Sequence, residues 1–348
     1  MLQSVVQYVS MQNIQTHIRP LSKLATEEQV IGAHGAQSRS VHLVREDSST
    51  GATKQLPSEV ECRNGSIKQT TIARPMSCYG IGVHSGQRTQ LTLKPAPQNT
   101  GIVCIRSDVS SVNNVIEATY RNVSETLLST TIQNNANIKI STIEHLMAAL
   151  WGCGIDNVII ELDGPEVPIM DGSSKPFVFL IECAGTKILD APRKIFKIMR
   201  DIHVSHNGAE IIVAPSDRFS VNVEIEFTSK AIGRQTMSLD DISFFKEEIA
   251  SARTFGFMHE VEYLRSKGLA KGASLENAVG IENDTIMNPE GLRFSNEFAR
   301  HKLLDSVGDF YTAGSIIQGS FSCTKSGHNL NNMLLRQIFD NASNYQII

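Results

Sequence analysis

Three polar residues, His301, Asp305 and Asp309, recur every four positions in the segment 298–310. The apolar residues of this segment follow a helical period, which predicts an amphipathic helix with one face in the core. Residues four apart lie one turn above each other on one helix face. An imidazole and a carboxylate held in this way can bind one divalent cation, and mixed His/Asp ligation suits zinc. Because the same pair can also form a simple surface ion pair, a site requires a third ligand from elsewhere in the chain.

A second segment, residues 139–152, places Glu144 directly before His145. Ser141 stands three residues before Glu144, which matches a capping box, and Gly152 marks the end of a short helix. In this interpretation Glu144 only caps the helix. Alternatively, a glutamate beside a metal-binding histidine can take a proton from water, as a hydrolase requires. The spacing alone leaves both interpretations open.

Other polar residues stand next to turns or aromatic side chains. Thr254 precedes Phe255 and Phe257 in a run that is typical of a core, although its hydroxyl could also line a pocket. His328 lies in a turn before the last predicted helix, where catalytic residues are often found. His84 lies in a glycine-rich turn, so we expect it to bond to the backbone, with a ligand role as the alternative.

Composition excludes several classes of protein. The chain has 348 residues, 41% of them hydrophobic and 20% charged, which is typical of a globular protein of about two domains. The 32 basic and 36 acidic side chains give no reason to expect nucleic acid as a partner. No apolar run reaches the roughly 18 residues of a membrane span. The six cysteines are scattered, which excludes a zinc ribbon and favours a reducing, cytoplasmic location.

The pattern along the chain predicts an extension and two domains. Residues 1–66 are polar and of mixed charge, so we predict a disordered extension; a mitochondrial transit peptide is the alternative, which their acidic residues argue against. The best boundary thereafter is 191–194, giving domains at 67–192 and 193–348. Both combine antiparallel strands with two helices, which predicts an α+β fold.

Six separated motifs resemble, in the same order, those of the UDP-3-O-acyl-N-acetylglucosamine deacetylases of lipid A biosynthesis. The resemblance extends from about residue 71 to the C-terminus. The motifs are GIGVHSG (80–86), STIEHL (141–146), PEVPIMDGS (165–173), ARTFGF (252–257), RHKLLD (300–305) and KSGHNLNN (325–332). Residues 1–66 have no counterpart in this family, and His259 and Glu260 stand where an Arg-Asp pair is common.

The resemblance implies two similar α+β domains, each a small sheet packed on a pair of helices, with the active site between them. It implies that His145, His301 and Asp305 bind zinc and leave one coordination position open, as in catalytic sites. Glu144 would then be the general base. His328 would act in its protonated form, oriented by Asp309. The remaining implied contacts are the oxyanion donor Thr254, the substrate-binding Lys302, and Phe255 and Phe257 beside the acyl chain.

The expected reaction is zinc-dependent hydrolysis of the N-acetyl group of UDP-3-O-(3-hydroxyacyl)-N-acetylglucosamine. The products would be acetate and the free 2-amino sugar, and we expect a monomer with no membrane segment. Two alternatives remain at this point. One is a zinc amidohydrolase that acts on another acetylated amino sugar. The other is a non-catalytic sugar-nucleotide-binding protein whose metal is structural, with His84 as a fourth ligand.

Overall fold

The computed structural model of the chain describes residues 67–110 and 113–348. The predicted extension at 1–66, with its transit-peptide alternative, lies outside the described residues. Within them, small and mainly antiparallel sheets combine with five α-helices. The predicted α+β class is therefore confirmed.

A five-stranded sheet forms from the first half of the described chain. Side chains in these strands alternate between the core and the outer face, as in strand 102–106, where every second residue is buried. The glycine-rich turn that holds His84 joins two antiparallel strands in a hairpin at the edge of this sheet. All pairings are antiparallel except that of strand 102–106 with strand 158–162. The strands, in spatial order, are β2 (Met76–Ile81), β3 (Arg88–Pro95), β9 (Val158–Leu162), β4 (Ile102–Arg106) and β5 (Val115–Glu117).

A seven-stranded sheet forms from the second half, around the long strand β19 (Ile316–Thr324). This strand pairs antiparallel with β13 and parallel with β14 and β11. Alternate residues of β19 are buried because side chains alternate between the two faces of the sheet and one face packs on the core. The other strands are β11 (Ile195–Ile198), β12 (Ile202–His206), β13 (Ala209–Ala214), β14 (Phe219–Glu226), β15 (Arg234–Leu239) and β20 (Tyr345–Ile347).

Three small sheets complete the strand content of the described residues. β1 and β10 pair antiparallel, and the other two sheets have three strands each. One of these carries the segment before α1, and the other carries the aromatic residues of the ARTFGF motif. Their strands are β1 (Lys68–Ile72), β6 (Val123–Glu125), β7 (Thr131–Gln133), β8 (Lys139–Ile140), β10 (Thr186–Pro192), β16 (Phe255–Phe257), β17 (Val279–Glu282) and β18 (Thr285–Ile286).

The helices are α1 (Glu144–Gly152), α2 (Lys175–Ala184), α3 (Met258–Ser266), α4 (Glu297–Tyr311) and α5 (His328–Asp340). α2 begins with Pro176 in its first turn and ends at Gly185, whose φ of 70° suits a helix terminus. Eight of the nine residues of α1 are buried, including Glu144 and His145, and the helix packs against α4. Trp151 of α1 stacks on Tyr311 of α4 with ring centroids 5.3 Å apart.

α4 is more deeply buried than the sequence predicted. We expected one face in the core, but only Arg300 and Lys302 of its 15 residues are not buried. The polar face is covered because α1 and α5 pack on it. Buried polar side chains require partners, so this face must be satisfied within the protein or by a bound ion.

The sequence of residues 241–252 predicts a helix, and this prediction is wrong in type. The chain instead forms a 3₁₀ turn at Ile242–Phe244 and a π-helical turn at Phe245–Ile249. The Asp241 carboxylate accepts a hydrogen bond from the backbone N–H of Ser243, which starts the tighter turn. The wider turn places both Phe245 and Ile249 in the core.

No helix in the described part of the chain combines the length and apolar character needed to cross a bilayer. The five-stranded sheet lies within residues 76–162 and the seven-stranded sheet within 195–347. The expected domain bounds, 67–192 and 193–348, separate these two sheets and stay a prediction.

Candidate active site

The candidate metal ligands converge between α1 and α4. His145 lies in the first turn of α1, whereas His301 and Asp305 lie one turn apart on α4. The Nε2 atoms of His145 and His301 lie 3.6 and 3.4 Å from Oδ1 of Asp305. One ligand atom from each of the three buried residues lies within 4.8 Å of the others. The tertiary structure therefore supplies the third ligand that the helical pair requires.

The donor set fits a divalent cation. Oδ1 of Asp305 is buried without a hydrogen-bond partner, while Lys302 Nζ donates to Oδ2 at 3.1 Å. Nδ1 of His301 donates to the carbonyl of Ala252 at 3.1 Å, which directs Nε2 towards the cluster. Burial lowers the pKa of His301 to about 4, so its ring is neutral at physiological pH and can bind a metal. A cation at this point would satisfy the unpaired oxygen.

Close approach of the two helices makes this convergence possible. Gly308 faces the backbone of Glu144, and a methyl group at position 308 would overlap the carbonyl oxygen of Glu144. Only glycine allows α4 to approach α1 this closely here. The loop before α2 holds the same region from the other side, since the Ser174 hydroxyl donates to the carbonyl of His145 at 2.7 Å.

Glu144 is not a helix cap, so the capping-box interpretation is wrong. The residue that precedes α1 is Ile143, and no side chain caps its N-terminus. The Glu144 carboxylate instead accepts a hydrogen bond from the backbone N–H of Thr130 at 3.0 Å. It is 3% exposed, and this burial raises its pKa. A buried carboxylate of raised pKa beside a metal cluster has the properties of a general base.

His328 and Asp309 form a buried pair beside the cluster. Nδ1 of His328 donates to Oδ2 of Asp309 at 2.8 Å, and Asn331 donates to the same oxygen at 2.8 Å. Burial disfavours a charged imidazole, but the Asp309 carboxylate outweighs it and raises the pKa of His328 to about 9. The His328 ring is therefore charged at neutral pH.

Thr254 is held by its backbone at the edge of the site. Its N–H donates to the carbonyl of Gly172, and its own carbonyl accepts from Val279, each at 2.8 Å. The side chain is half-buried and makes no hydrogen bond described in this structure, so its hydroxyl can serve a ligand. The adjacent Arg253 is fixed by Glu297 at the start of α4, with Nε to Oε1 at 2.9 Å.

The proposed substrate contacts lie around the metal cluster at different distances. Lys302 Nζ is 5.9 Å from the ring centroid of Phe255, and the Phe255 and His301 centroids are 6.2 Å apart. Phe255 therefore borders the cluster. Phe257 lies two residues further along the same strand, with its ring centroid 6.2 Å from that of Phe227.

His84 is not among the side chains that could share the metal. Within residues 67–110 and 113–348, the clustered ligand atoms come from His145, His301 and Asp305 only. The backbone N–H groups of His84 and Ser85 donate to the buried Glu166 carboxylate at 2.9 and 2.8 Å. These bonds fix the glycine-rich turn through its backbone. The expected bond from the His84 side chain to the backbone is not seen at Nδ1, which is buried without a hydrogen-bond partner.

Comparison with known proteins identifies the family. A sequence profile described as "LpxC: UDP-3-O-acyl N-acetylglycosamine deacetylase" matches residues 69–340. The chain belongs to this family. A UDP-3-O-acyl-N-acetylglucosamine deacetylase of Phenylobacterium zucineum is 46% identical over 271 residues, which are 78% of this chain and 92% of the relative. The enzyme of the same name from Shewanella oneidensis is 45% identical over 285 residues, or 81% and 93% of the two chains.

Membership of this deacetylase family agrees with the resemblance seen in the sequence motifs. The family consists of metal-dependent hydrolases, and the His-His-Asp cluster is where this chain could hold the metal. Sequence reasoning missed Thr130, Asn331 and the carbonyl of Ala252, which contact the candidate residues. A threonine before a short strand and a backbone carbonyl carry no local signal of such a role, because their partners are distant in sequence.

Proposed function

We propose that the protein hydrolyses the N-acetyl group of UDP-3-O-[(3R)-3-hydroxyacyl]-N-acetylglucosamine, the committed step of lipid A biosynthesis. The products are acetate and UDP-3-O-(3-hydroxyacyl)-glucosamine. The observation that carries this proposal is the unpaired Asp305 oxygen between the Nε2 atoms of His145 and His301, with Glu144 and charged His328 beside it. The names of the relatives supply the substrate class.

The metal in this proposal is zinc, held by His145, His301 and Asp305. Three protein ligands of the His/His/Asp type leave a coordination position for water or substrate, which is the catalytic arrangement. When bound, zinc supplies Lewis acidity, which makes water more acidic and polarises the acetamide carbonyl. Lys302 keeps Asp305 ionised and turned towards the cluster by holding its second oxygen.

The chain's own residues would carry the protons. Glu144 takes a proton from the attacking water, since its buried carboxylate has a raised pKa and accepts its hydrogen bond from the backbone N–H of Thr130 rather than from a cationic side chain. His328 donates its proton to the amine that leaves when the amide C–N bond breaks. Asp309 keeps that imidazole charged until the transfer.

The remaining groups would stabilise and select the substrate. The free hydroxyl of Thr254 donates to the oxyanion of the tetrahedral intermediate. Lys302, which also holds Asp305, contacts the substrate. Phe255 and Phe257 line the path of the acyl chain. Burying a hydrocarbon chain there is worth about 0.8 kcal/mol per CH₂, which distinguishes the acylated sugar from UDP-N-acetylglucosamine. The substrate would lie between domains 67–192 and 193–348 of a monomer.

The test is an assay of acetate release from the acylated UDP-sugar by the full chain. We expect activity that a chelator abolishes and that zinc restores. Equal rates on UDP-N-acetylglucosamine and its 3-O-acyl form would instead support an amidohydrolase for another acetylated amino sugar. Tight zinc binding with no acetate release from either substrate would support a structural metal in a sugar-nucleotide-binding protein.

A further inference from the structure

Thr130 contacts carboxylates from both helices of the candidate site. It precedes strand β7 and is 2% exposed. Its backbone N–H donates to Oε2 of Glu144 on α1 at 3.0 Å. Its hydroxyl donates to Oδ1 of Asp309 on α4 at 2.5 Å. One residue therefore links the proposed general base to the carboxylate that holds the proposed proton donor.

The hydroxyl fixes how the Asp309 carboxylate is rotated. Oδ2 of Asp309 accepts from His328 and Asn331, both at 2.8 Å, and Oδ1 accepts from Thr130. Asp309 is 3% exposed, so water cannot readily replace a lost donor. Without the hydroxyl, Oδ1 would be buried and unpaired, and the carboxylate would turn or shift to find a partner. His328 would move with it.

The short segment that carries Thr130 is itself tied to α1. The carbonyl of Thr130 accepts from the N–H of Ile143 at 3.3 Å, directly before the helix begins. The N–H of the same residue donates to the Glu144 carboxylate. Thr130 therefore fixes both the start of α1 and the position of that carboxylate. Asp309 of α4 holds His328. Any motion of α4 relative to this segment would therefore change the separation of Glu144 from Asp309 and His328.

We infer that Thr130 is a positioning residue for catalysis. Its backbone orients Glu144, and its hydroxyl orients Asp309 and through it His328. It sets the geometry between the two proton-transfer groups without touching the substrate or the metal cluster. The inference rests on the proposed function for its effect on rate, but the positions it describes are a property of the chain alone.

Thr130→Val tests the hydroxyl, because it nearly preserves side-chain shape and keeps the backbone N–H. Loss of such an orienting partner typically lowers activity about 10- to 100-fold. We expect that loss in kcat, with KM changed by less than about twofold because ground-state binding is unaffected. Zinc content should be unchanged. Thr130→Ser should recover kcat to within about threefold, since the donor is restored.

Thr131→Val is the matched control. Thr131 is also buried, at 3% exposure, and its hydroxyl bonds to Ser141 Oγ at 2.9 Å, outside the site. If the role of Thr130 is structural only, both valine variants should lose kcat alike. Full kcat in Thr130→Val, or a loss confined to KM, would also overturn the inference. If Thr130→Val does not fold, Thr130→Cys replaces it, because a thiol is only a weak donor.

A second readout does not need turnover. The Nδ1 proton of His328, bonded to Asp309, should give a downfield proton NMR signal that is assigned by its loss in His328→Gln. We expect this signal to broaden through faster exchange with water in Thr130→Val and to persist in Thr131→Val. An unchanged signal in Thr130→Val contradicts the inference. If the wild-type chain releases no acetate, the proposed function fails while this measurement still decides the position of His328.

Discussion

At the residue scale, the site depends on side chains whose surroundings set their charge. Glu144 has its carboxylate buried, which favours the protonated form, whereas His328 is buried beside Asp309, which favours the charged form. Two titratable groups whose pKa values are both raised, one a carboxyl and one an imidazole, are thus placed beside the candidate metal ligands. Shifted pKa values in one site are typical of paired proton-transfer groups.

Replacing Glu144 by glutamine should separate catalysis from metal binding. The amide keeps the size of the side chain and can still accept from Thr130, but it cannot take a proton. We expect kcat to fall about 100- to 10,000-fold, with zinc content unchanged by elemental analysis. Retention of full activity in Glu144→Gln would remove the base from the proposed mechanism.

The pH profile should show His328 acting as an acid. Its pKa is raised from 6.5 to about 9, so the ring is charged at neutral pH and loses its proton as pH rises through 9. We expect kcat/KM to fall on this alkaline limb. His328→Gln should have low activity and lack that limb. An identical alkaline limb in both proteins would assign it to another group.

The raised pKa of His328 also predicts that the stability of the protein depends on pH. The folded-state pKa exceeds the unfolded value, so His328 contributes stability that is present in full below pH 6.5 and is lost as pH rises to about 9. The contribution is about 3 kcal/mol when fully present. Urea unfolding of wild type and His328→Gln at pH 6.5 and 9 measures it. The difference between the two proteins should be smaller at pH 9.

At the element scale, the crossing of α1 and α4 decides whether the ligands meet. α1 supplies His145, and α4 supplies His301 and Asp305. Gly308 allows their backbones to approach, and the ion pair of buried Arg253 with Glu297 ties the segment before Phe255 to the start of α4. These contacts position the three candidate metal ligands without belonging to the His-His-Asp cluster themselves.

Gly308→Ala tests this crossing. In an unobstructed helix the change would stabilise by about 1 kcal/mol, because alanine is the better helix former. Here the methyl group would overlap the Glu144 carbonyl, so we expect a lower melting temperature and about tenfold weaker zinc binding by competition with a chelator. Gly256→Ala is the control, since a methyl group there meets no atom within 4 Å. Equal zinc affinity in both variants would show that α1 and α4 can move apart at position 308 without weakening metal binding.

At the scale of the whole molecule, the cluster connects two distant parts of the chain. His145 follows the small sheet β6-β7-β8, whereas α4 packs on strands β14 and β15 of the seven-stranded sheet. An ion bound only by the folded chain stabilises it by an amount that grows with the logarithm of the ratio of ion concentration to dissociation constant. The metal should therefore contribute to global stability as well as to chemistry.

Removing zinc should lower the melting temperature of the entire described fold. At a free zinc concentration about 1,000 times the dissociation constant, the stabilisation is about 4 kcal/mol. Calorimetry with zinc and with excess chelator measures it. His301→Ala should melt at the same temperature under both conditions, since it lacks a ligand. A zinc effect of full size in that variant would place the bound ion elsewhere.

The sequence by itself determined what is local. The i and i+4 spacing of His301 and Asp305 requires only helix geometry, and the hairpin at 82–87 and the helix ending at Gly185 follow from turn residues and short periodic patterns. The order of the six motifs indicated the family, which the comparisons confirmed. The helical spacing, the hairpin and the helix end depend on neighbours within a few residues. The amino-acid sequence is therefore sufficient to predict them.

Only the tertiary structure decided the long-range contacts. Glu144 looked like a cap until the fold placed it opposite Thr130, and the polar face of α4 looked exposed until α1 and α5 covered it. Thr130 and Asp309 are 179 residues apart in the chain, and no periodicity relates them. Which buried donor meets which acceptor depends on the packing of whole elements, and that packing is a property of the folded chain.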